Sequence, residues 1–355
     1  MSSNNSSGEF ALNKGRVDVG AYRYTLVRGD AVADGAGGTF AYNNWYLYNT
    51  GMASPLTRQV QTIANATKYA TIASLNDIHK RMGELRLDAS EKGGVWMRSY
   101  RRGYENNLHP DARATLYATG GEIGADRLVD LDGKRLYLGG LVGYADSTLS
   151  GVDSWNGESE DILVDAYASL MFDNGSYIDM VGRHFWFDRD YQFGSDGVTE
   201  KGSGRYRAYS FDIEAGHRID LARGWFLEPQ AELTWLKTTR SDFTTDNDNR
   251  IVMDGFHTLL GRTGITAGRT LDIGENNKTQ LYGRLDHIRN FTSNGKVSIN
   301  GDRFRAEKEG GSWVLSAGLQ SATRQGQFHI ELETGVGSAD VRQKWGVNFG
   351  ARWAF

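Results

Sequence analysis

Cysteine is absent from the 355 residues of this chain. There are therefore no disulfide staples, no thiolate metal ligands and no thiol nucleophile. Proline occurs only 3 times, which excludes a Pro-rich linker or an extended polyproline segment. No apolar run approaches the ~18 residues that a membrane-crossing helix needs. With a mean hydropathy of −0.51, that rules out a helical membrane bundle. A formal net charge of −4 makes no case for nucleic acid as a partner. A secretion signal is missing as well: residues 1–10 read MSSNNSSGEF, with no basic start and no apolar core, and are set aside as a leader. If the protein is exported, a longer precursor is expected, with this sequence as its C-terminal part.

What is present is a chain of alternating residues. Aromatic residues make up 12% and glycine contributes 45 positions, fitting many strands joined by Gly- and Asn-rich turns. From Val95 onward the period is two. Trp225, Leu227, Pro229, Ala231, Leu233 and Trp235 share one face; Phe226, Glu228, Gln230, Glu232 and Thr234 share the other. Apolar faces with an aromatic residue at each end resemble the lipid-facing band and interface girdles of an outer-membrane barrel, whose hydropathy averages out polar. Strand centres fall near Met97, Leu116, Leu141, Ala166, Met180, Ile213, Leu233, Thr263, Leu285, Ala317, Leu332 and Phe349. Connections after even-numbered strands are short, as in 130–134, 173–175 and 324–326. Those after odd-numbered strands are mostly long, as in 150–160, 194–204, 241–253 and 292–311. Segregated loop lengths are the mark of a membrane barrel with short periplasmic turns and long outer loops. The expectation is an all-β transmembrane fold: a 12-stranded antiparallel outer-membrane β-barrel, with 296–306 assigned to an extended outer hairpin.

By strand parity, Arg98, Asp165, Asp212, Glu214, Glu232, Arg262, Arg284, Asp286, Glu331 and Glu333 face the lumen. In the last strand Val347, Phe349, Ala351, Trp353 and Phe355 share the lipid face. One stretch breaks the pattern. Ser54 and Pro55 form a helix-entry signal, and good helix formers continue to Leu87. The helix is ~50 Å long at 1.5 Å per residue, and too polar for lipid. A barrel of about twelve strands has a lumen wide enough for one helix. The reading is therefore a long α-helix threading a wet lumen, where Arg58, Lys68, Lys80 and Arg81 are expected to pair with the acidic wall residues.

Three runs carry a resemblance: Gly20-Ala21-Tyr22-Arg23-Tyr24-Thr25-Leu26, Asn44-Trp45-Tyr46-Leu47 and Lys80-Arg81-Met82-Gly83-Glu84-Leu85-Arg86. Set before a twelve-strand barrel ending in Phe, they resemble the C-terminal part of a classical, monomeric (type V) autotransporter, close to the AIDA-like adhesin and pertactin group. The resemblance implies that 11–50 ends the passenger as an autochaperone-like β segment, 51–92 is the pore helix and linker, and 93–355 is the translocator barrel. Met52 would lie toward the exterior and Leu87 toward the periplasm. It implies a pore helix using Arg58, Lys68, Asn76, Asp77, Lys80, Arg81 and Glu84, and a barrel-assembly signal in Val347, Phe349, Ala351, Trp353 and Phe355. Outer-membrane lipid, the chain's own N-terminal passenger, the barrel-assembly machinery and periplasmic chaperones are the implied partners; no nucleic acid and no cofactor are.

Some relatives in that family cut the passenger free through an Asn-Asn pair four residues before Lys-Arg-Met, where an Asn side-chain amide attacks its own backbone carbonyl. Asn76 matches that pattern and Asp77 departs from it, so a solvated helix face is favoured over self-processing. Other enzyme readings lack a constellation. Asp286 and His287 are adjacent in one strand and point to opposite faces, Ser99 and Ser210 have no His at a pairing distance in sequence, and no metal-ligand spacing stands out. Two functions follow: a translocator that exports and anchors a passenger or, as the alternative, a helix-plugged porin or solute channel.

Overall fold

The protein is described here from a computed structural model, in residues 10–28, 44–75, 93–152, 155–273, 277–292, 294–306, 310–323, 326–336 and 341–354, with the side chains of its helix through residue 66. In chain order the elements are β1 (Val17–Val19), β2 (Tyr22–Arg28), β3 (Trp45–Ala53), α1 (Pro55–Leu75), β4 (Gly94–Asn106), β5 (Ala114–Leu131), β6 (Lys134–Gly151) and β7 (Asn156–Phe172). They continue with β8 (Ser176–Ser195), β9 (Val198–His217), β10 (Ile219–Asp220), β11 (Trp225–Thr238), β12 (Ser241–Thr244), β13 (Arg250–Met253) and β14 (His257–Asp272). The last are β15 (Lys278–Asn290), β16 (Lys296–Ile299), β17 (Asp302–Arg305), β18 (Gly311–Ala322), β19 (Gln327–Val336) and β20 (Val341–Ala354).

Twelve of these strands form one closed antiparallel barrel: β4 to β9, β11, β14, β15 and β18 to β20, with β10 a two-residue extension along β11. Closure is made by β20 on β4, from Ala354 opposite Gly94 to Val341 opposite Asn106. Each strand centre inferred from the alternation lies in its own strand. Closure removes the open edges that would otherwise recruit other chains, and it lets every strand satisfy its backbone inside hydrocarbon.

The alternation is realised as an inside-out burial pattern. Ile162, Val164, Phe211, Ile213, Leu233, Leu332 and Phe349 are exposed on the outer wall, whereas Asp165, Asp212, Glu214 and Glu331 are buried inside. Trp225 and Trp235 bracket the exposed face of β11. Ten residue steps in a strand tilted by ~45° span ~23 Å, the height of the apolar band.

Two sequence expectations change. First, among the described residues the supposed open loops 150–160 and 194–204 are mostly strand. β6 and β7 pair as far as Ser150 and Asn156, and β8 and β9 as far as Ser195 and Val198. At ~3.3 Å per residue, the 20-residue β8 outreaches a ~25 Å band even when tilted, so these hairpins stand clear of the membrane. Second, 296–306 is more than a hairpin tip. Its strands β16 and β17 join β12 and β13 from the preceding outer connection in a separate four-stranded sheet. The chance for this is written in large apolar residues on facing strands: Ile251 lies opposite Ile299 and Met253 opposite Val297. Ile251, Val297 and Ile299 are fully buried.

Nor are the glycines mainly turn residues. Lumenal tyrosines fold over strand glycines of a neighbouring strand, Tyr100 on Gly120, Tyr167 on Gly139, Tyr177 on Gly216 and Tyr282 on Gly318, where any Cβ would collide with the ring. A glycine in a strand interior often marks such a close approach.

Residues 17–28 divide at Gly20 into β1 and β2, which with β3 form a small three-stranded sheet. Gly20 takes a positive φ of 54° with an Asn300 amide close by, a place where only glycine is unstrained.

Candidate translocation pore

The pore is organised by the start of α1. Ser54 caps it, its Oγ accepting from the Thr57 amide at 3.2 Å and donating to the Gly20 carbonyl at 2.7 Å. The Thr57 hydroxyl donates to the Ala21 carbonyl at 2.9 Å. The cap thus also ties the helix to the β1–β2 turn, satisfying donors that a helix N-terminus leaves open.

The first three turns do not sit in a wet channel, as the polarity of the helix had suggested. Leu56, Val60, Ile63 and Ala66 are buried in one apolar cluster with Tyr104, Leu116, Leu149, Trp155, Tyr191, Phe193, Ile251, Val297 and Ile299. The spacing 56, 60, 63 is one helix face, and it meets the loop sheet from one side and the barrel hairpins from the other. Polar residues between them clip the helix to three parts of the outer mouth. The Gln59 amide donates to the Gly194 carbonyl at 2.6 Å and accepts from its N–H at 3.2 Å. Gln61 donates to the Arg305 carbonyl at 2.5 Å. Thr62 donates to the Ala112 carbonyl at 3.1 Å, and its own carbonyl accepts from Asn106 at 3.0 Å. Gln59, Thr62 and Asn106 are almost wholly buried.

Arg58 pairs with Asp111 in the β4–β5 connection and not with a wall carboxylate, which corrects the expected pairing. Its partial burial, with Arg23 nearby, lowers the guanidinium pKa. The Lys68 side chain, and Asn76, Asp77, Lys80, Arg81 and Glu84 altogether, lie outside the described residues.

Below this collar the lumen wall carries charge, and the ten parity-assigned residues all line it. Arg262 is the hub, at 2.8 Å from Glu232, 2.6 Å from Asp286 and 3.4 Å from Glu214. Arg284 lies 2.9 Å from Asp286, 3.1 Å from Glu331 and 3.7 Å from Glu333. Asp165 pairs with Arg183 at 2.8 Å, and Arg98 with Glu122 at 3.5 Å. Asp212 accepts from Thr234 at 2.6 Å. Most of these wall charges are thus engaged with a wall charge of opposite sign, while Asp212 is held by hydroxyls.

Members that the strand parity also contained, but that were not singled out, close the seam. Arg102 reaches Glu333 at 3.3 Å and Asn348 at 2.9 Å. Arg352 grips both oxygens of Asp126 at 2.8 and 2.9 Å, and both partners are completely enclosed. Of the terminal-strand residues, Val347, Phe349 and Trp353 are exposed on the outer wall, Ala351 is half-buried on the same face, and Phe355 lies outside the described residues.

Fold and site define a class: an outer-membrane β-barrel whose lumen is occupied by a helix of its own chain. The family model for the autotransporter beta-domain matches residues 95–333. The chain is 32% identical to the BrkA autotransporter of Bordetella pertussis over 96% of its own length and 33% of the relative's. It is also 32% identical to the pertactin autotransporter of Bordetella parapertussis, over 80% of this chain and 31% of that one. The crystal structure of the Bordetella BrkA β domain superposes with a TM-score of 0.63 at 27% identity, covering 74% of this chain and 99% of that domain. This chain belongs to the autotransporter β-domain family. It is a β-barrel translocator domain of the bacterial outer membrane. The chain spans about a third of the length of these two relatives.

Proposed function

We propose that α1 is the last segment of an exported chain, held in the pore after transport, and that 11–50 is the C-terminal end of the passenger, an autochaperone-like β segment. The single observation that carries this is the seating of Pro55 to Ala66. One face is buried in an apolar collar, and the polar side chains between are matched to backbone groups of three outer segments. A segment so completed at the mouth, and continuous with a sheet outside it, anchors what precedes it at the surface.

In this proposal Val347, Phe349, Ala351, Trp353 and Phe355 form the face offered to the barrel-assembly machinery, periplasmic chaperones escort the unfolded chain, and the translocator works as a monomer. The unit is a conduit and anchor without chemistry of its own. Asn76 and Asp77 are not taken as a cut site, because Asp77 departs from the Asn-Asn pair.

A reporter fused before Ala11 tests the reading. External protease should shave it from intact cells while the barrel remains. A reporter protected in the periplasm of cells whose barrel is folded would overturn it and leave the plugged channel as the explanation.

A further inference from the structure

The outer wall carries a second pattern, just beyond the exterior aromatic belt. Trp186 on β8, Tyr209 on β9 and Trp235 on β11 belong to that belt, with His184 stacked against Trp186 at 3.9 Å and against Tyr209 at 4.5 Å. Farther round, His287 on β15 meets Trp313 on β18 at 4.6 Å. Belts of this kind sit at the level where acyl chains give way to headgroups. The next outward-facing residue on each strand lies ~7 Å farther along it, at the outer border of that belt and toward the headgroups.

Two sectors of opposite charge stand out among them. On β6, β7 and β8 they are Asp146, Glu160 and Asp188, followed by Glu158 and Asp190, all exposed. On β9, β11, β14 and β15 they are Arg207, Lys237, His257 and Arg289, with Arg205 beyond, all exposed. The strands of the second sector are consecutive neighbours in the barrel, and Lys237 lies directly opposite both Tyr209 and His257. Arg205 meets the acidic sector at its border through Asp188 at 2.8 Å. Among the described residues no carboxylate lies within ion-pair distance of Arg207, Lys237 or Arg289. Farther out, Asp242 is already engaged by Arg240 and Arg250.

We propose that Arg207, Lys237 and Arg289, flanked by His257 and Arg205, form a ledge that binds the phosphate groups of a phosphorylated glycolipid in the outer leaflet. Aromatic rings below the ledge meet the acyl chains while the cations above meet the phosphates, so one lipid is held by both ends of its polar boundary. Juxtamembrane cations are attracted to anionic headgroups additively, and guanidinium suits phosphate by its planar fork of donors. The acidic sector on β6 to β8 repels the same headgroups, so the barrel meets the leaflet with a preferred side. This inference rests on the outer-membrane placement of the barrel and is independent of what happens to the passenger.

The test is retention of diphosphorylated lipid A, measured by native mass spectrometry of the full chain in detergent, beside the fully dephosphorylated lipid and inorganic phosphate alone. The wild-type chain should retain the phosphorylated lipid at least tenfold better than the dephosphorylated one, less so as salt rises. Arg207→Gln with Lys237→Gln should lower that retention by on the order of tenfold. Glu160→Gln on the acidic sector should not lower it. All three substitutions are at exposed outer positions, and an unchanged heat-resistant gel mobility verifies folding. Equal retention of the two lipids, or retention unaffected by the double substitution, overturns the ledge. Displacement of the lipid by millimolar inorganic phosphate overturns the lipid assignment, since a soluble anion would then suffice.

Discussion

The collar around the first turns of α1 and the charged wall below it hold the pore in opposite ways. The collar is apolar and joins different parts of the chain: Ile63 of the helix, Ile251 and Val297 of the loop sheet, Trp155 and Phe193 of the barrel hairpins. The wall is ionic and joins strands of the barrel to one another, with Arg262 and Arg284 each shared among several carboxylates. Under the proposed function, a transported chain has to pass the wall without sticking and then stop at the mouth. Carboxylates and guanidiniums already occupied with one another offer little to a passing segment, while an apolar socket gains only when a matching face arrives. The side chains of the wall are thus fixed by charge pairing, and the plug by burial.

Separating the two requires a change on each side. Arg262→Ala removes the cation shared by Glu214, Glu232 and Asp286, of which Asp286 keeps Arg284, and should cost ~3–5 kcal/mol, the range for a broken buried pair. It would appear as a lower urea midpoint for barrel unfolding, with Arg262→Lys recovering part of the loss. Ile63→Ala removes buried volume from the collar, where truncations of this kind cost ~2–5 kcal/mol. Here the unfolding midpoint of the barrel should stay in place while single-channel conductance rises, because the helix is less firmly seated. A collar variant that lowers the barrel midpoint as far as Arg262→Ala does would show that plug and wall are one structure.

The smallest effect belongs to the loop sheet that completes the collar. Arg250, first, and Arg240 hold the Asp242 carboxyl down to about 2, below the ~3.9 of an unfolded chain. A depressed carboxyl stabilises above the unfolded value and loses that contribution as pH falls through the folded one. Amide exchange in β12 and β13, corrected for intrinsic rate, should therefore be unchanged down to about pH 4 and rise as the pH approaches about 2. In Asp242→Asn the protection should be lower at neutral pH and nearly flat across that window.

The barrel was legible because its physics repeats every second residue. Trp225, Leu227, Leu233 and Trp235 against Glu228, Glu232 and Thr234 allow one facing only, and the wall charges follow from the same parity. What the wall charges pair with was not legible, since Arg262 meets Glu214 and Asp286 on strands that alternation leaves unordered in space. The helix was found from its cap at Ser54 and Pro55, but its surroundings were misread. Gln59, Gln61 and Thr62 look solvated in a sequence, and nothing local says that Gly194, Arg305 and Ala112 present backbone groups to them. A four-stranded sheet assembled from two separate connections is equally invisible to a local pattern, although Ile251-Val252-Met253 and Val297-Ser298-Ile299 carried its strand signal.

The Arg352 to Asp126 contact bears on how a barrel knows that it is finished. Arg352 is on the closing strand, Asp126 is on β5, and β4 lies between them, so the contact spans the seam and the strand beyond it. Side chains alternate strictly, and a slip of one residue in β20 would turn Arg352 outward to lipid. Asp126 would be left charged inside, with its bidentate partner gone. Backbone pairing alone accepts either alignment; this clasp accepts one. It acts as a checksum on the seam, read once the last strand has arrived.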